Sequence, residues 1–184
     1  MQELLKAIKE DLLVEVKRLL EKNNYNLNSD VIIGKEYDLE EYDEIPLLFY
    51  LIQTQASLDV IKLLIDYGMD ITKTTREGVG AIDYAIKYNR KDIVELCKEH
   101  GISLTSSKRK SGLTPLMLAA SFNDIDMIKY LIENGANIND RDKFGMNALD
   151  YAAKLGQKKA VKFLESLEKK ESNLYLLRKI EIIL

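Results

Sequence analysis

Apolar residues along this chain come in short bursts at helical spacing, separated by polar turns. The clearest burst is Ile125, Ile128, Leu131 and Ile132, whose steps of three and four residues predict a helix with one buried face. A shorter burst precedes it: Leu116, Leu118, Ala119 and Ala120. Thr114 can accept a backbone N–H as an N-cap, and Pro115 fits the first helical position, where its missing donor costs nothing. The two alanines allow close approach of a neighbouring unit. Asn123-Asp124 turns the chain between the two helices, and Gly135 ends the second with a left-handed residue. Residues 136–144 then return as an extended loop to Gly145.

This unit repeats. Gly112-Leu113-Thr114-Pro115-Leu116 aligns with Gly145-Met146-Asn147-Ala148-Leu149 and with Gly78-Val79-Gly80-Ala81-Ile82, so that Ala81, Pro115 and Ala148 are 34 and 33 residues apart. Pro46 precedes Ala81 by 35. A second marker keeps step: the glycines of Asp66-Tyr67-Gly68, Glu99-His100-Gly101 and Glu133-Asn134-Gly135 are 33 and 34 apart. Helices of two to three turns are marginal alone and must stack on copies of themselves to bury their apolar faces.

These units resemble ankyrin repeats. The resemblance is best in Gly112-Leu113-Thr114-Pro115-Leu116-Met117-Leu118-Ala119-Ala120 and in Leu131-Ile132-Glu133-Asn134-Gly135-Ala136-Asn137-Ile138-Asn139. It continues through Asp142-Lys143-Phe144-Gly145 and the pair Ala152-Ala153. It implies an all-α solenoid of stacked helix-turn-helix repeats with loop or β-hairpin fingers, in a single domain over residues 1–184. Residues 1–28 are expected to form an N-terminal capping repeat, 29–44 an acidic insertion, 45–168 four further repeats and 172–184 a C-terminal capping helix.

The departures carry expectations of their own. Met117 and Asp150 stand where the family has histidine, which removes that side chain's inter-loop hydrogen bond. Ile45 and Gly80 replace the capping threonine, which predicts weaker second and third repeats. The surplus of residues between Pro46 and Gly68 predicts a bulged turn over residues 54–57. After Lys170 the repeat pattern ends. Leu176, Leu177, Ile180, Ile183 and Leu184 then mark an amphipathic helix with Ser172 as a possible cap, packed on the last repeat or on a second copy.

Composition narrows the function. Among 184 residues, 46% are hydrophobic and 31% charged, an ordinary globular balance. The net charge of −3 argues against nucleic acid or a membrane surface as the main partner. No apolar run approaches the ~20 residues that span a bilayer. The N-terminal acid-bearing stretch does not read as a signal peptide. With Cys97 alone, no internal disulfide can form. A reduced, cytoplasmic monomer is the expectation.

Little in the sequence suggests catalysis. His100 is the only histidine and sits where it would cap a second helix. Cys97 occupies a core position, and one Cys with one His cannot close a zinc site. Phosphate-loop and dinucleotide fingerprints are absent, so no cofactor and no metal are expected. Lys108-Arg109-Lys110 is a small footprint for phosphates and reads as a solvated loop or a contact to an acidic partner. Glu36-Tyr37-Asp38-Leu39-Glu40-Glu41-Tyr42-Asp43-Glu44 reads either as a solvated insertion or as an acidic, aromatic arm for a basic partner.

The remaining signal is a set of apolar residues at variable repeat positions. In proteins this chain resembles, loop tips and the exposed side of the first helices form a concave face that binds partners. The corresponding residues are Val79, Leu113 and Met146 after the loop glycines, Tyr88, Phe122 and Leu155 after the first helices, and Phe144 before Gly145. The expectation is a non-catalytic module that binds a protein on this face. An inhibitor or immunity-type protein that occludes an enzyme or toxin is the alternative.

Overall fold

The computed structural model describes the backbone of residues 1–33 and 43–183, and the side chains of 1–31 and 44–170. The chain divides into two compact units, Met1–Ile102 and Ser103–Leu184. The first unit contains α1 (Gln2–Lys9), α2 (Leu13–Lys22), β1 (Asp30–Ile33), β2 (Asp43–Pro46), α3 (Leu47–Gln53), α4 (Leu58–Asp66), α5 (Ala81–Lys87) and α6 (Lys91–Glu99). The second contains α7 (Pro115–Ser121), α8 (Ile125–Glu133), α9 (Ala148–Lys154) and α10 (Lys158–Ile183).

Each helix pair is joined by one device. The residue after the first helix's C-cap has positive φ: Asp11 at 53°, Gln55 at 60°, Asn89 at 55°, Asn123 at 59° and Gly156 at 69°. The next N–H then reaches back to the helix, Asp124 to the Ala119 carbonyl at 3.2 Å and Gln157 to Ala152 at 2.8 Å. This is the hydrogen-bond pattern of a Schellman ending. Asn and Asp tolerate left-handed backbone better than most side chains, which explains their recurrence here. Gly68, Gly101 and Gly135 end the second helices in the same way, with φ of 98°, 74° and 91°.

Burial follows the apolar spacing. In the first unit Leu4, Val16, Phe49, Leu51, Ile52, Val60, Ile61, Leu64, Ile93 and Val94 are buried. In the second, Ile128 and Leu131 are buried, and so are Ala119, Ala120, Ala152 and Ala160. The alanines sit where α7 packs against α9 and α9 against α10, close contacts that longer side chains would hold apart.

Three expectations change. Pro46 is the N-cap of α3, with Leu47 its first residue; Pro46 therefore matches Thr114, not Pro115, and Ile45 is not the missing cap. Only one surplus residue is then left in the turn, beside Ala56. Residues 172–183 are helical, but as the continuation of α10. Ser172 lies inside that helix, not at its start. Finally, the ends of the insertion pair as an antiparallel ladder, Val31 opposite Ile45 and Ile33 opposite Asp43. The acidic residues 36–42 between them lie outside the described residues.

Candidate interaction surface

The finger that leads into α9 is built on Asp142. Its N–H donates to the Met146 carbonyl at 3.0 Å, and the Gly145 N–H donates back to the Asp142 carbonyl at 3.0 Å. Gly145 closes this turn at φ 76°. The carboxylate fixes it again: Oδ1 accepts the Phe144 and Met146 N–H groups at 2.9 Å each, and Oδ2 accepts the Tyr151 hydroxyl at 2.6 Å. The neighbouring finger is joined on through Lys143 N–H to the Ser111 carbonyl at 2.9 Å. Burial opposes ionisation of Asp142, yet the Tyr151 hydroxyl and the Met146 and Phe144 N–H groups hold its carboxyl below the usual carboxylate range. Burial and the adjacent carboxylate push the Tyr151 hydroxyl up to about 12. In the first unit Thr75 plays the Asp142 part, with its hydroxyl accepting the Val79 N–H at 3.2 Å.

The seven candidate residues divide by exposure. Phe144 is 76% exposed, Leu155 54% and Phe122 46%. Phe122 and Leu155 are the C-caps of α7 and α9, the same position in adjacent repeats. Gln157 Nε2 donates to the Ser121 carbonyl at 2.8 Å and Asn123 Oδ1 accepts the Ala160 N–H at 2.9 Å. These bonds tie the two turns together beside the exposed pair. Leu113 and Met146 are half-buried, as are Val79 and Tyr88 in the first unit. Tyr88 belongs to a column in which Phe49 stacks on Tyr84 at 4.4 Å, Tyr84 on Tyr88 at 5.9 Å, and Lys87 Nζ lies 5.2 Å from the Tyr88 ring.

Other chemistry-bearing groups are structural. His100 is the C-cap of α6, its Nδ1 2.9 Å from the Leu96 carbonyl, which also accepts the His100 N–H at 3.2 Å. Cys97 is fully buried, and burial with the Asp83 charge pushes its thiol up to about 12. Asp83 and Asp150 hold the same position in α5 and α9, and each carboxylate accepts the N-cap's own N–H: Gly80 to Asp83 at 2.8 Å, Asn147 to Asp150 at 2.9 Å. Among the described residues no three His, Cys, Asp or Glu side chains cluster as metal ligands would. No described helix is long and apolar enough to cross a membrane. One exposed apolar group escaped the repeat pattern: Leu12, Leu13 and Val14, the last 85% exposed. Its signal was three aliphatics in a row at a helix start.

Comparison with known proteins agrees with this architecture. The family described as "Ankyrin repeats (3 copies)" matches residues 98–173, and "Ankyrin repeats (many copies)" matches 48–96. An ankyrin repeat protein of Acanthamoeba polyphaga mimivirus is 30% identical over 174 residues, covering 77% of this chain and 23% of that protein. A second from the same virus is 28% identical over 97 residues, 53% of this chain and 13% of that protein. Alpha-latrocrustotoxin-Lt1a of Latrodectus tredecimguttatus is 30% identical over 136 residues, 73% of this chain and 9% of the toxin. The chain spans less than a quarter of the length of each of these relatives. Family matches, repeat period and helix-pair geometry lead to one conclusion: the chain belongs to the ankyrin repeat family.

Proposed function

We propose that this chain holds a protein partner on the finger and first-helix side of its second unit, with Phe122, Phe144 and Leu155 as anchors. Ankyrin repeats are generally protein–protein interaction modules, and such modules are typically non-catalytic. The observation that carries the residue assignment is Phe144. An aromatic ring 76% exposed stands on a turn whose backbone is fixed by two hydrogen bonds to Asp142. A rigid, solvent-facing aromatic loses little entropy on binding and buries much apolar area. Leu113 and Met146, half-buried in the same unit, contribute less, and Val79 and Tyr88 belong to the first unit.

The test compares the chain with its Phe122→Ala, Phe144→Ala and Leu155→Ala variants in partner capture from the native lysate, alongside thermal unfolding. Anchors of this kind cost ~2 kcal/mol or more of binding when truncated, while exposed substitutions change folding by under ~0.5 kcal/mol. Capture lost at unchanged stability supports the assignment. Capture undiminished in all three variants moves the site elsewhere.

A further inference from the structure

Six cations of the second unit lie on its fingers and on α9. Lys108, Arg109 and Lys110 lie on the first finger, Arg141 and Lys143 on the second, and Lys154 ends α9. The acids on the same elements are already engaged. Asp142 is occupied by Tyr151 and two backbone N–H groups. Asp150 accepts the Asn147 N–H at 2.9 Å and pairs with Arg141 at 3.4 Å. Asp140 accepts from Asn137 at 3.0 Å. The fingers and α9 thus carry six cations against three acids, a local excess of positive charge in a chain of net charge −3.

The bond from Lys143 N–H to the Ser111 carbonyl brings the two cationic tips together, and Phe144 follows Lys143 directly. Lys154 stands one helical turn after Asp150 in α9, and Asp150 pairs with Arg141 of the second finger at 3.4 Å. Lys108, Lys143 and Lys154 are exposed.

We infer that the partner segment is an acidic peptide carrying an aromatic or aliphatic anchor, its carboxylates set against Lys108, Lys143 and Lys154 and its anchor against Phe144. This rests on the interaction surface proposed above. A single-stranded nucleic acid could stack on Phe122 and Phe144 but would leave Leu155 without a role, and the net charge of −3 opposes a phosphate backbone. An acidic segment with an apolar residue uses both halves. Complementary charge of this kind governs association rate and partner choice more than raw affinity, and it weakens as salt rises.

The experiment selects random displayed peptides on the immobilised full chain. It then measures the best of them against wild type, Phe144→Ala and the double variant Lys108→Glu/Lys143→Glu, with thermal unfolding as the folding control. The expected result is enrichment of Asp and Glu around an aromatic or aliphatic residue. Affinity falls about tenfold in each variant, and binding weakens with added salt. Neutral or basic peptides that still lose affinity in Phe144→Ala overturn the acidic-partner inference and leave the surface standing. Acidic peptides indifferent to Phe144→Ala overturn the surface itself. A single-stranded oligouridylate that binds more tightly than the best peptide, and fails on the charge-reversed variant, assigns the cations to nucleic acid instead. An absence of any enrichment also overturns the inference.

Discussion

At the scale of single residues, Asp142 does the most for the surface. Its carboxylate takes hydrogen bonds from two backbone N–H groups and one hydroxyl, and those bonds favour the charged form. Because its folded value lies below the usual carboxylate range, its contribution is present above the unfolded value of about 4 and disappears as pH falls through the folded one. Asp142→Ala is expected to cost about 1–3 kcal/mol by orphaning its donors. Urea unfolding at neutral pH measures that loss, and the gap between variant and wild type should narrow as pH falls through the folded value of Asp142. A gap constant down to the lowest pH would mean that shape, not charge, holds the finger. Cys97 is the opposite case. With its thiol pushed up to about 12 and fully buried, it holds almost no thiolate at neutral pH. A thiol-specific disulfide reagent should label it only after denaturant is added; prompt labelling of the native chain would contradict this. The parts played by His100 and Cys97 were legible from their places in the repeat. That of Asp142 was not, because three donors converge on it only once the finger has closed.

At the scale of elements, the period of the helix pairs could be read directly, since apolar spacing and terminal glycines are both local signals. What failed was phase. Pro46 was aligned by its resemblance to Pro115, but in a backbone turning out of β2 it becomes the cap. The strands themselves are four residues each and flank an acid-rich stretch, too little alternation to register as a ladder. The end of the repeat pattern after Lys170 suggested a new helix capped by Ser172. The end of a repeat is not a break in the backbone. No glycine or proline interrupts Lys158–Ile183, so the backbone continues. Ser172→Ala tests this directly. An N-cap serine would lose ~1 kcal/mol on truncation, whereas an interior serine replaced by alanine gains a few tenths through helix propensity. Helicity by circular dichroism and the unfolding midpoint should therefore hold or rise slightly. A clear fall in both would restore a cap at that position.

At the scale of the whole molecule, helix endings differ systematically between the units, and stability should follow. In the second unit, α7, α8 and α9 each begin with a side chain that accepts a helix N–H: Thr114 at 3.3 Å, Asp124 at 2.9 Å and Asn147 at 2.8 Å. In the first unit α1, α2, α3 and α6 have no side-chain cap. Ser57 caps α4 at 3.3 Å, and Asp83 gives α5 half of a capping box. Each missing cap is worth ~1 kcal/mol, and in a repeat protein such local differences decide which repeats open first. The N-terminal pair is weakened further, because Leu12, Leu13 and Val14 stay in water at 46%, 41% and 85% exposure and return little hydrophobic energy. Hydrogen exchange should therefore find the amides of α1 and α2 opening well below the global unfolding free energy, and those of α7 and α8 near it. A urea series read by exchange should show the N-terminal pair lost first. If α1 and α2 instead exchange as slowly as α7 and α8, caps do not order this stack, and the apolar cluster at Leu12, Leu13 and Val14 is covered in solution.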